Sequence, residues 1–129
     1  MGTRSTIKFY DRYYRNLLSI YNQYDGYLEG IGAELVEFFE SEQSRGNGFA
    51  DVALLYVIYK KSGAYHTYAT TENDIQEYNY IIQETDEGLR FTVKYQDYIE
   101  GQEVLRTIID WVDYKTFKSI IEKKLEKIK

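Results

Sequence analysis

The sequence predicts one α+β domain: a mainly antiparallel sheet with two helices after an N-terminal hairpin, and an amphipathic C-terminal helix. Three observations lead there. Apolar and polar residues alternate through 3–10, 65–71, 75–84 and 89–97, the two-residue period of half-buried strands. Apolar residues return at three- and four-residue spacing through 31–39 and 114–128, which is helical. The 129 residues contain no proline, no cysteine and no low-complexity linker, so nothing divides the chain. That length supports a single core without disulfides.

Taken in order, Thr3–Tyr10 reads as a strand with Ile7 and Phe9 on one face and Thr6 and Lys8 on the other. The polar stretch 11–16 turns the chain, and Leu17–Gln23 returns as a second strand with Leu18 and Ile20 facing the core. Tyr24–Gly32 has three glycines and is expected to be a loop. Ile31, Leu35, Phe38 and Phe39 then share a helical face, while Glu34, Glu37 and Glu40 point outward. Ala50–Lys61 is apolar nearly all round; its length and the Lys-Lys-Ser-Gly stop at 60–63 favour a helix. Tyr65–Thr71, Ile75–Glu84 and Leu89–Asp97 read as strands, the last two joined by a turn ending in Gly88. Val104–Trp111 is expected to be a further strand with Leu105, Ile109 and Trp111 on one side. The final helix, Tyr114–Lys127, places Phe117, Ile120, Ile121, Leu125 and Ile128 on one stripe.

Composition excludes several chemistries. With no cysteine there is no disulfide, thiolate metal site or cysteine nucleophile. His66 is the only histidine, and it alternates with tyrosines as an ordinary strand residue does. No catalytic residue, metal site or cofactor is expected. Residues 115–129 carry a net +4, which leaves −9 on the rest of the chain; a body this acidic repels phosphate backbones, so general nucleic-acid binding is not expected. No run of 18 apolar residues appears, so no membrane association is expected and a cytoplasmic protein is. The fifteen tyrosines suit sheet faces and core rims, or else a tyrosine-lined binding surface.

The candidate binding patch is the segment between the second strand and the first helix. Gly26, Gly30 and Gly32 permit close backbone approach, and a helix start offers free N–H groups to an anion. Antiparallel pairing brings Arg4 to the same end as Tyr24, Asp25 and Tyr27. A binding patch and a plain Arg4–Asp25 pair pinning the loop are the two readings of that arrangement.

The opening Gly2-Thr3-Arg4-Ser5-Thr6-Ile7-Lys8-Phe9-Tyr10, with Gln23-Tyr24-Asp25-Gly26-Tyr27, resembles a group of small uncharacterised phage, prophage and viral proteins. The likeness covers about the first third of the chain. It implies a mobile-element protein acting inside an infected host cell and carries over no catalytic residue. The expected function is a non-enzymatic binding protein engaged in host takeover or counter-defence, acting on a host protein and self-associating as a homo-oligomer. The alternative is a nucleotide or phosphate binder at the glycine segment; a metal-assisted hydrolase comes last.

Overall fold

In a computed structural model, which describes residues 2–41, 49–59 and 67–127, the strands form one six-stranded sheet. The strands are β1 (Ser5–Tyr10), β2 (Asn16–Asn22), β3 (Thr67–Ala69), β4 (Tyr78–Thr85), β5 (Gly88–Ile99) and β6 (Gln102–Asp113). The helices are α1 (Ala33–Glu40), α2 (Phe49–Tyr59) and α3 (Tyr114–Glu126). Spatial order across the sheet is β3-β2-β1-β4-β5-β6. All neighbours are antiparallel except β1 and β4, which run parallel with Ser5 opposite Tyr78. The fold class expected from the sequence is the one observed. No helix among the described residues is long and apolar enough to cross a membrane.

The alternation of β1 divides the sheet into two chemically distinct faces. Ile7 and Phe9 share one face with their register partners Ile20, Tyr80 and Ile82, and with Phe91 and Val93 beyond them. This face is buried under the helices. Phe91 stacks on Phe117 of α3 at 4.5 Å, Phe9 meets Tyr56 of α2 at 5.7 Å, and Phe38 of α1 meets the same Tyr56 edge-on at 5.2 Å. Thr6 and Lys8 face the other way, where residues 70–77 cross from β3 to β4 as a strap. Lys8 is almost fully buried there and donates from Nζ to the Asp74 carbonyl at 2.6 Å. Burial lowers its pKa, against the raising effect of Asp74 and Glu72. Thr6 donates to Asn79, which also accepts from the Gln76 amide and donates back to its carbonyl. Buried polar groups need partners, and the strap supplies them.

The tyrosines have a structural use that composition alone does not reveal. Glu34, Glu37 and Glu40 lie along α1 at one-turn spacing, and each accepts a phenolic hydroxyl: Tyr56 at 3.0 Å, Tyr59 at 2.7 Å and Tyr114 at 2.7 Å. One helix is thus tied to α2 and α3 by the same pairing. Burial and the carboxylate acceptor raise the pKa of all three phenols, Tyr59 to about 12. Asp113 caps α3 by accepting from the Thr116 amide at 2.8 Å.

Three expectations need correction or limits. The glycine segment is loop only to Tyr27; Leu28–Gly32 forms a π-helical turn that runs directly into α1. Leu105, Ile109 and Trp111 do not share a face, because β6 carries register shifts opposite Phe91–Val93 and Val93–Lys94. Each bulge inserts a residue and breaks the two-residue period, so Ile109 is buried while Leu105 and Trp111 are exposed. His66 and Ile128 lie outside the described residues.

Candidate binding surfaces

The residues expected to form one patch divide in the structure: Tyr24, Asp25 and Gly30 line one shallow dent, whereas Arg4 lines a different cleft. Asp25 takes a left-handed backbone, φ 58°, which aspartate tolerates better than most residues. Its carboxylate accepts from the Tyr27 hydroxyl at 3.0 Å and its carbonyl from the Ile31 amide at 2.9 Å. Two further amides of the segment are engaged: Gly26 donates to the Thr3 carbonyl and Gly30 to that of Tyr27. Close packing explains the glycines. A Cβ on Gly26 would meet that of Ser5 at 2.7 Å, one on Gly30 would collide with the Asp25 carbonyl, and Gly32 packs on Ile121. The shallow dent beside them is lined by Asp25 and Glu34, whose charge opposes a phosphate. From β4, Tyr80 locks the segment by donating its buried hydroxyl to the Gly26 carbonyl at 2.6 Å.

Arg4 does not pair with Asp25. The hairpin register sets Ser5 opposite Asn22, so Arg4 leaves the sheet beside residue 23, and the Asp25 carboxylate accepts from Tyr27 through Oδ1. Instead Arg4 is exposed, close enough to Tyr21 to lower that phenol's pKa against the larger effect of burial. It lines a cleft of about 420 Å³ at the end of the sheet. Tyr24 lies over Gly2, at the margin of the same cleft, and a side chain on Gly2 would strike its ring. Arg4 and Tyr24 therefore stay near each other, whereas Tyr27, Gly30 and Gly32 belong to the helix start.

A second surface runs along the β5–β6 hairpin. Its two-residue turn, Glu100-Gly101, has positive φ at both positions, the type I′ geometry that suits the strand twist. Beyond Tyr95 the hairpin projects past β4, and β6 ends the sheet. The strap covers β1 and leaves this part of the polar face open. Tyr98 is 66% exposed, and Leu105 and Ile108 are also exposed. Trp111, the only tryptophan, is 45% exposed and held at φ 52°, with its amide donating to Thr92 Oγ1 at 3.2 Å. A bulky residue in the left-handed region costs backbone energy, so other contacts must fix it. The sequence carries one trace of this: alternation fails at Ile108-Ile109-Asp110-Trp111, where the bulges lie.

Among the described residues, no three histidine, aspartate or glutamate side chains gather so as to hold a metal ion. Among the described residues, two buried side-chain atoms on the register partners Ser5 and Asn22, Oγ and Nδ2, have no hydrogen-bond partner. Compared with protein-family models, curated proteins and solved structures, the chain has no significant match.

Proposed function

We propose that this chain is a non-enzymatic binding protein that works through the exposed face of its β5–β6 hairpin. The observation that carries the reading is Trp111: the sole tryptophan, bulged outward in a strained backbone on the last strand of the sheet. Bulges re-aim side chains at sites of function, and tryptophan and tyrosine anchor protein interfaces. Tyr98, Leu105 and Ile108 are further exposed apolar side chains along the same hairpin. The same two bulges blunt β6 as a template for strand addition, which favours docking by side chains over extension of the sheet. The first partner is a second copy of the chain. The resemblance of the N-terminal third to small phage proteins adds a cytoplasmic host-cell setting, with a host protein as the eventual target in takeover or counter-defence.

A nucleotide or phosphate at the glycine segment draws less support, because the Gly26, Gly30 and Ile31 amides are engaged internally and Asp25 and Glu34 line the dent.

A single tryptophan makes intrinsic fluorescence a reporter of the proposed surface. Sedimentation and emission followed over rising protein concentration should show association and a blue shift together, both removed by Trp111→Ala and weakened by Leu105→Asp. Association with unchanged emission, or a monomer at every concentration, refutes self-association through this face.

A further inference from the structure

We infer that the cleft at the end of the sheet binds a small zwitterionic ligand of the amino-acid class, carboxylate toward Arg4 and ammonium toward Glu77. The two residues lie at the entries to the parallel strands β1 and β4, one step before the Ser5–Tyr78 pair. Opposite charges at neighbouring cross-strand positions attract each other weakly. Here Arg4 and Glu77 line one cleft of about 420 Å³, yet among the described residues neither side chain makes an ion pair or hydrogen bond. The cleft therefore presents one uncompensated cation and one uncompensated anion.

Its remaining walls select the same chemistry. Gln76 donates its amide nitrogen to Asp74 at 2.6 Å, and Gln96 donates its own to Glu103 at 2.8 Å. Each amide is thus held through one N–H and keeps its carbonyl oxygen and second N–H for other partners. One cation, one anion and two amides line the cleft, which suits a ligand carrying one cationic and one anionic group. A phosphate dianion would meet Glu77 with only Arg4 to balance it. Tyr95, packed on Tyr78 at 5.0 Å, and the exposed Tyr98 give the ligand's apolar side chain an aromatic surface.

The test uses three probes on the full chain by titration calorimetry: L-phenylalanine, L-phenylalaninamide, which lacks the carboxylate, and 3-phenylpropionate, which lacks the ammonium. Phenylalanine should bind, with each analogue weaker by roughly tenfold or more, the worth of one charge-assisted bond. Arg4→Gln should erase the preference over the amide, and Glu77→Gln the preference over phenylpropionate. Both positions are exposed, so both variants should melt as the parent does. The inference fails if phenylalanine does not bind, or if the three probes bind alike. It fails too if phenylpropionate equals phenylalanine, which marks an anion site only. Equal destabilisation by both substitutions without any change in binding also overturns it, since Arg4 and Glu77 then pair with each other. Leu105 and Trp111 are untouched in these variants, so this outcome and that for the hairpin face are separate results.

Discussion

Replacing Tyr80 by phenylalanine removes one oxygen from the best-buried polar contact between the glycine segment and the sheet. Tyr80 is 1% exposed and its hydroxyl meets the Gly26 carbonyl at 2.6 Å. The ring is unchanged, so packing against the core persists and little cavity arises. What is lost is the bond, and the Gly26 carbonyl is left in an environment without water. Orphaning a buried acceptor costs about 1–3 kcal/mol, and we take about 2 kcal/mol here because Gly26 is buried as well. Unfolding entropy is about 2.1 cal/mol/K per residue, so each kcal/mol moves the midpoint of a chain this long by roughly 3.7 °C. Tyr80→Phe should therefore melt about 7 °C below the parent, with an unchanged denaturant m-value. Tyr56→Phe is the internal comparison. Its hydroxyl donates to Glu34, a half-buried carboxylate open to water, so its loss should be the smaller. A deficit for Tyr80→Phe below about 0.5 kcal/mol, or one no larger than that of Tyr56→Phe, refutes the assignment of Tyr80 as the lock on the segment.

Alkaline titration should unfold the protein earlier than its core suggests. Tyr10 and Tyr59 are raised to about 12 by burial and by hydrogen bonds to Glu72 and Glu37. Buried Tyr56 and Tyr80 are raised further. The unfolded chain then loses phenolic protons near pH 10 while the folded one keeps them, so stability is intact below about pH 10 and falls as pH rises toward the folded values. Denaturant midpoints followed across that range check this, and a flat profile to pH 12 contradicts it. Asp113→Ala removes the α3 cap on Thr116 and should cost about 1 kcal/mol; an Asn in its place should recover most of that in thermal melts. Phe91→Ala removes the ring that meets Phe39, Tyr114 and Phe117 and should cost about 3–5 kcal/mol by chemical denaturation.

Local periodicity made β1, β2, α1 and α3 legible, since each has one apolar stripe and one polar one. The strap and the β1–β4 pair were not, because parallel pairing joins residues 73 positions apart and leaves no local signature. The glycines at 26, 30 and 32 read as loop, yet they serve tight packing around a helical turn. Composition cannot separate these uses. Arg4 was legible as a surface group of interest, but its partner was not. Asp25 accepts instead from Tyr27, two residues away, a local bond that strand register does not reveal. The hairpin surface escapes a strictly alternating reading of β6, because the two bulges occur without a glycine to announce them.

The central position of β1 has a kinetic consequence. Its hairpin partner follows at once, but its other edge stays open until Tyr78–Thr85 arrives to complete the row. Closing a loop of that length is entropically costly and precedes most of the contacts that compensate it. Folding should therefore be slow for a chain of this size, with docking of β4 as the late event. Until then the nascent hairpin exposes Ile7 and Phe9 along an unpaired edge, and a synthesising cell would meet the protein first in that form.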